Sequence, residues 1–179
     1  MANTFTLISS VTVGSGGTTS SINFTSIPQT YTDLKLVCSL RGDTTNSDIG
    51  ITGFQTHYIR LNNNLGSLHS GRYLQGNGSA ASSGSNGPET IWHAPGSTNA
   101  SVTANTFANS ELYIPNYSGS KKKSASIDMA GENNETTSGL FLSALFFDDT
   151  TAITGIEVFT SSGNFVQYST AYLYGISNA

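Results

Sequence analysis

The feature that most constrains the fold of this chain is a two-residue alternation of apolar and polar side chains in short segments. In DLKLVCSLR, every second residue from Leu34 to Leu40 is apolar. In SASIDMAG, every second residue from Ala125 to Met129 is apolar. Residues two apart lie on the same face of a β-strand, so each segment is typical of a half-buried strand. No window of helical length has the spacing of an amphipathic helix.

Turn-forming sequences separate these segments, among them GSGG, IPQT, NNNLG, PNYSGS, GENNETTSG and SSGN. Gly, Pro, Asn and Asp are the residues that supply turn dihedrals. About ten short strands separated by such turns predict an all-β antiparallel sandwich with no substantial helix. We expect residues 1–179 to form one domain, since a chain of this length can bury a single well-filled core.

Composition excludes several classes of function. Charged residues make up 10% of the chain and the net charge is −4, whereas a nucleic-acid surface needs a basic stripe. The most apolar stretch, Leu140 to Phe147, is far shorter than the roughly 20 residues that span a bilayer. The start of the chain, MANTFTLISS, lacks the basic and apolar regions of a signal peptide. We therefore expect no nucleic-acid partner, no membrane partner and synthesis in the cytoplasm.

One segment departs from the strand pattern. Residues 75–89, QGNGSAASSGSNGPE, are rich in Gly and Ser and contain no large apolar side chain. We predict a long loop here, which either is a plain excursion from a sheet or makes contacts of its own.

Residues that could perform chemistry are few and scattered. The three histidines, His57, His69 and His93, lie in separate segments without the spacing of metal ligands. None of the common nucleophile, phosphate-loop or dinucleotide motifs occurs. Cys38 alternates with Leu36 and Leu40, which predicts a buried thiol rather than a reactive one. We predict no enzymatic activity, no cofactor and no metal, and a hydrolase is the weakest of the hypotheses considered.

Two segments are candidates for interfaces. The run Lys121, Lys122 and Lys123 either is a solvated strand start that discourages aggregation or contacts an acidic partner surface. The closing segment FVQYSTAYLYGIS carries large apolar groups at both alternating positions. If it is one strand, Tyr168, Tyr172 and Tyr174 share a face that a neighbouring subunit would cover, because tyrosine suits interfaces. Leu173 would then lie on the opposite, core face.

Four segments of the chain resemble those of a family of tailed-bacteriophage virion surface proteins. The matching elements are an opening TLISSVTV, a segment FTSIPQTYTDLKLVCSLR, the strand end IPNY, and the closing STAYLYGI. The similarity spans nearly the whole chain, and its motifs describe strands and turns rather than an active site.

The resemblance implies a jelly-roll-like sandwich and a structural role on the virion surface, in capsid decoration or a head fibre. It also implies a homo-oligomer, for which we favour a trimer, bound to other virion proteins such as the major capsid protein. The alternative is a tail-fibre or receptor-binding module that recognises host carbohydrate. For that function, exposed aromatic residues such as Trp92, Tyr58 and Tyr73 would stack on sugars beside the amides of Asn62 to Asn64.

Overall fold

The structure is a computed structural model that describes residues 4–177, except for the side chain at position 95. These residues form fourteen strands and no helix. The strands are β1 (Phe5–Thr12), β2 (Thr18–Thr19), β3 (Ser21–Phe24), β4 (Asp33–Leu40), β5 (Phe54–Leu61), β6 (His69–Gly76), β7 (Ala81–Glu89), β8 (Trp92–Thr98), β9 (Ala108–Ile114), β10 (Lys123–Glu132), β11 (Ser138–Phe147), β12 (Ile156–Thr160), β13 (Phe165–Val166) and β14 (Thr170–Ile176). The all-β prediction is confirmed. The strands outnumber the expected ten or so partly because β2 and β13 are only two residues long.

The strands form two main antiparallel sheets. The large sheet has eight strands in the order β1-β14-β4-β9-β10-β11-β6-β7, and the small sheet has four in the order β3-β12-β5-β8. Strands β2 and β13 form a separate two-stranded ladder. The result is an antiparallel β-sandwich, as the sequence predicted.

The core lies between the two sheets, where the alternating apolar side chains point. Strands β10 and β11 follow the pattern most regularly: every second residue along most of each strand is buried and its neighbours are exposed. Strand β4 buries Leu34, Leu36, Cys38 and Leu40 in the same way. Trp92, Phe147 and Leu173 are among the side chains of the main cluster. Burial raises the pKa of the Cys38 thiol to about 12, so this cysteine is a core residue as expected.

The prediction of a long loop at residues 75–89 is wrong. Residues Ala81–Glu89 form β7, which pairs with β6 at the edge of the large sheet. The turn between them is closed by Asn77, whose Oδ1 accepts hydrogen bonds from the Ser79 and Ala80 amides at 3.1 and 2.8 Å. The side chains of β7 are small and none of its residues is fully buried. The strand therefore shows no alternation of buried and exposed positions. Backbone pairing alone therefore defines this strand.

The closing segment is not one strand either. The chain leaves the ladder after β13, turns through Gln167 to Ser169, and only then enters β14. Tyr168 adopts a left-handed backbone at φ 70°, and its amide donates to the Val13 carbonyl at 2.9 Å. Buried Ser169 holds the turn, since its Oγ accepts the Arg41 amide at 3.2 Å. Tyr168 therefore does not share a strand face with Tyr172 and Tyr174.

Candidate functional site

The outer face of the large sheet, which points away from the small sheet, carries two exposed apolar strips. The first, which we call the terminal strip, consists of Phe5 and Leu7 of β1 with Tyr172, Tyr174 and Ile176 of β14. Phe5 lies opposite Ile176, and Leu7 lies opposite Tyr174. Phe5 and Leu7 are 54% and 49% exposed, and the two tyrosines are half-buried. The prediction that one face of the closing strand lies outward holds for Tyr172 and Tyr174, while Leu173 is in the core.

The second strip lies towards the other edge of the same face. This hairpin strip consists of Leu74 of β6 with Leu140, Leu142 and Phe146 of β11. Leu74 and Leu142 are directly paired across the two strands. Both are more than half exposed, as is Leu140. The four apolar side chains project from the same face of two neighbouring strands, and the Arg72–Ala144 pair lies between Leu142 and Phe146.

A polar band separates the two strips. Lys35 of β4 and Glu111 of β9 form an ion pair at 2.6 Å. Tyr113 donates its hydroxyl to the Asp33 carboxylate at 2.7 Å, and this bond is the largest cause that raises the pKa of Tyr113. The centre of the face is thus an ordinary solvated surface, and the apolar strips lie on either side of it.

The lysine run is divided between surface and interior. Lys123 is 2% exposed, and its Nζ donates to the carbonyls of Gly119 at 2.7 Å and Lys121 at 2.5 Å. Burial lowers its pKa. Lys121 and Lys122 are exposed; Lys122 pairs with Asp148 and lies 6.0 Å from the centre of the Phe146 ring. Lys123 is therefore not available to a partner, and only the first two lysines remain interface candidates.

The alternative interpretation of the lysine run, protection of an exposed edge, is also wrong. Strand β10 lies between β9 and β11 in the interior of the large sheet. Lys123 instead serves the fold, because its ammonium satisfies carbonyl oxygens of the turn that precedes β10.

A polar cleft of about 160 Å³ opens between the sheets. Its lining comes from both layers of the sandwich and from the loop before β5: Asp48, Ile49, Thr56, Tyr73, Gln75, Asn86, His93, Phe141 and Ser143. No Lys or Arg side chain lines it. The sequence could not reveal this cleft, because its residues come from six separate segments and no local spacing links them.

Charge near the cleft is negative. His93 is held by Glu89 through an Nε2–Oε2 contact of 2.7 Å, and Asp48 accepts the Thr56 amide at 2.6 Å. The pKa of Tyr58, whose ring contacts that of His93 at 5.0 Å, is raised by burial and then by the charges of Asp48 and Glu89. In the lining itself, an anionic ligand would meet the Asp48 carboxylate and no Lys or Arg side chain.

The residues expected to form a sugar site are mostly elsewhere. Trp92 is 1% exposed, and its Nε1 donates to the Phe146 carbonyl at 2.9 Å, so it cannot stack on a ligand. Asn62 closes a turn by accepting the amides of Thr154 and Gly155. None of the three residues Asn62, Asn63 and Asn64 lines the cleft. Only Tyr73 of the expected set lies in the cleft, with Tyr58 next to it.

The three histidines do not meet. His57 and His69 are buried, and burial lowers the pKa of each to about 4, so both are neutral in the folded chain at neutral pH. His93 lines the cleft. Within the described part of the chain, no group of three or more His, Cys, Asp or Glu side chains is placed to hold a metal ion. Nor do residues 4–177 include a helix of the length and hydropathy that crosses a membrane.

Comparisons with known proteins give no family. No protein-family model matches the chain, and no curated protein matches it in sequence. One similar solved structure is the CBM2 module of Lactobacillus casei BL23 phage J-1 evolved Dit, with 8% identity and a TM-score of 0.19 over 89% of this chain and 69% of that chain. Another is fructofuranosidase from Schwanniomyces occidentalis complexed with fructose, with 7% identity and a TM-score of 0.27. It aligns with 99% of this chain and 35% of that chain. Likeness at this level carries no functional argument.

Proposed function

We propose that this chain is a non-enzymatic structural protein of a tailed-bacteriophage virion, located on the particle surface as a capsid decoration protein or a head-fibre component. The motifs TLISSVTV, FTSIPQTYTDLKLVCSLR and STAYLYGI support the family resemblance. They correspond to β1, to β4 with the segment leading into it, and to β14, which lie at one edge of the large sheet. The chain would be made in the host cytoplasm and would then join the virion.

The single observation that carries this proposal is the outer face of the large sheet. Soluble monomers rarely expose continuous apolar patches of large side chains, and such patches commonly mark protein–protein contacts. Here the terminal strip and the hairpin strip lie on one face, separated by the band around Lys35 and Glu111. Two separate apolar strips fit a protein that contacts two kinds of neighbour.

We assign self-association to the terminal strip. Tyr172 and Tyr174 present aromatic rings with hydroxyl groups, the chemistry enriched in interfaces. Phe5 and Leu7 extend the same surface to the edge strand β1. We favour a trimer, in which this edge of each sandwich would meet the next copy.

Attachment to the particle would then use the hairpin strip, with the major capsid protein as the partner. Lys121 and Lys122 lie beside this strip, since the Lys122 ammonium lies near the Phe146 ring. The two ammonium groups would suit an acidic patch on the capsid. Nucleic acid and membrane are not among the proposed partners.

The location test is electron microscopy of purified particles that carry a tagged copy of this chain. We expect a fixed number of copies per particle at symmetric positions on the capsid. Density on the tail would move the protein from the capsid to a tail fibre. Absence of the chain from purified particles would refute the virion proposal.

The self-association test compares two tyrosines. Tyr172→Ala should lower the oligomer mass measured by analytical ultracentrifugation, because aromatic side chains contribute disproportionately to interfaces. Tyr168→Ala is the matched control, because Tyr168 is 61% exposed but lies in the β13–β14 turn. Unchanged mass for Tyr172→Ala would show that the terminal strip is not the contact.

A second candidate function, recognition of host carbohydrate, depends on a different part of the molecule. It is favoured by the cleft that contains Tyr73, because this cleft is polar, lacks cationic side chains and includes aromatic rings.

A further inference from the structure

The cleft between the sheets has polar groups that the protein itself does not use. Ser143 of β11 is 3% exposed and Thr56 of β5 is 7% exposed, and both line the cleft. Neither hydroxyl group has a hydrogen-bond partner among the described residues, although each residue as a whole is more than nine-tenths buried. Neither oxygen is among the fully enclosed polar atoms that lack a partner, so both hydroxyls open to the cleft, where water or a ligand can supply the hydrogen bond.

The half-buried walls add further unpaired groups. The Tyr73 hydroxyl and the side-chain amides of Gln75 and Asn86 likewise have no hydrogen-bond partner among the described residues. Each amide offers both donors and an acceptor, and each hydroxyl offers one donor and two lone pairs. The cleft therefore presents mixed donors and acceptors on several sides of one small volume.

The cleft is also held in shape. Asn99, which is fully buried, donates from Nδ2 to the Asn46 carbonyl at 2.7 Å and so fixes the loop that carries Asp48. The Asp48 carboxylate in turn accepts the Thr56 amide. On the opposite wall, the Tyr73 ring lies against Gly84 of β7, where any larger residue would meet the phenol. A rigid site of this kind loses little conformational freedom when a ligand binds.

From these observations we propose that the cleft binds a neutral sugar residue of a glycan. A sugar ring matches the mixed hydrogen-bonding groups through its hydroxyls, and its apolar face can pack on the half-buried Tyr73 ring. The absence of Lys and Arg from the lining, with Asp48 at the cleft and Glu89 beside it, disfavours an anionic sugar. The volume of about 160 Å³ suits one ring, since pockets for drug-sized molecules start at about 300 Å³.

The site extends in one direction. A second hollow of about 180 Å³, lined in part by Gly50, Asn77 and Ser82, shares Gln75 with the cleft. Gln75 therefore lies between two adjoining volumes. A second sugar unit linked to the first would occupy this hollow, so the ligand is an oligosaccharide of at least two neutral units.

The test titrates the isolated full chain with methyl glycosides of glucose, galactose, mannose, rhamnose and N-acetylglucosamine, followed by backbone amide shifts in NMR spectra. At least one glycoside should give saturable shifts at Thr56, Gln75, Asn86 and Ser143, with a Kd of about a millimolar. The β-linked disaccharide of that sugar should bind more tightly. Ser143→Ala and Gln75→Ala should each weaken binding about tenfold.

The matched control is Ser126→Ala, which removes a hydroxyl from the outer face of β10 in the same sheet. It should leave binding unchanged. If Ser143→Ala lowers the unfolding midpoint, its weaker binding could reflect lost folding. The result for Gln75→Ala, which changes an only half-buried side chain, then decides whether the cleft binds the sugar. The proposal is overturned if no glycoside saturates, if shifts map outside the cleft, if both variants bind like the parent, or if N-acetylneuraminic acid binds more tightly than every neutral sugar. Because the isolated chain is used, failure here is distinct from failure of virion attachment.

Discussion

Two hairpins of the large sheet, β10–β11 and β6–β7, differ in how far their side chains are buried. In the β10–β11 hairpin, alternate side chains are buried along nearly the whole length of both strands. In the β6–β7 hairpin, β7 buries no residue fully and is made of Gly, Ser, Ala and Asn with one Pro and one Glu. Both are antiparallel and they share the β11–β6 pairing. A strand can therefore be specified by burial of its side chains or by backbone pairing to a neighbour that is itself fixed.

The end of β6 that meets the core behaves like the first hairpin. His69 is fully buried, and its ring lies 4.7 Å from that of Phe147 and 5.6 Å from that of Trp92. Farther along, Tyr73 and Gln75 are only half-buried and line the cleft, where the Tyr73 ring lies 6.4 Å from that of Phe141. The β6–β7 hairpin is thus anchored at one end and held mainly by its ladder at the other.

The largest expected effect is a loss of folding stability when a buried side chain of the β10–β11 hairpin is removed. Phe147→Ala should lower the free energy of unfolding by about 3–5 kcal/mol, because Phe147 is fully buried against His69 and Trp92. Urea denaturation measures the loss. Leu142→Ala on the same strand is the control and should cost less than about 1 kcal/mol, because its side chain is half exposed. Equal losses would mean that the outer face contributes as much to folding as the core.

The second largest expected effect is a loss of folding stability in acid, caused by His69 at the buried end of β6. Burial lowers the pKa of His69 from 6.5 to about 4, and its Nε2 accepts the Leu61 amide at 3.4 Å. The unfolded chain therefore takes up a proton at higher pH than the folded chain does. Stability should fall as pH decreases through 6.5 and should stop falling, for this group, near pH 4, with a total loss of about 3 kcal/mol.

Unfolding midpoints measured across this range should show a shallower acid dependence for His69→Gln than for the parent. Buried His57 has a pKa lowered to about 4 by the same cause, so part of the dependence should remain in the variant. An unchanged slope in His69→Gln would mean that folding does not lower the pKa of His69.

The smallest expected effect is within β7 itself. Gly87 has φ 85°, and an added Cβ would meet the His69 carbonyl oxygen, so Gly87→Ala should cost about 1–3 kcal/mol. At Gly84 the added Cβ would meet the phenol end of Tyr73, which is the tip of a side chain rather than backbone. Gly84→Ala should therefore cost less than Gly87→Ala in thermal unfolding. The reverse order would show that β7 is held by Tyr73 rather than by its backbone.

This contrast explains what the sequence could and could not predict. Alternation in DLKLVCSLR and SASIDMAG predicted β4 and β10. A strand with one buried face has apolar residues at every second position, and this pattern is visible in the sequence. Strand β7 was missed because Gly and Ser carry no such signal. The break at Tyr168 was missed because the alternation continues through the turn, from Phe165 to Leu173, although the backbone does not.

The candidate sites were predictable to different degrees. Apolar residues at both alternating positions marked the terminal strip at Tyr172 and Tyr174. The same signal in LFLSALFF occurs at Leu140 and Leu142 of the hairpin strip, but the sequence does not show which of its two apolar faces lies outward. Lys123 is buried through contacts with carbonyls in a turn, which no charge pattern indicates. The cleft depends on how six segments meet in space, so it needed the structure.

The position of β1 has a consequence for how this protein is made. Within the large sheet β1 pairs only with β14, which lies more distant along the chain than any other described strand, so β1 gains its partner only after β14 has been made. Contacts this distant in sequence slow folding, and the exposed Phe5 and Leu7 remain open to other chains in the meantime. We therefore expect β1 to pair late in folding, with nascent chains prone to associate through this strand.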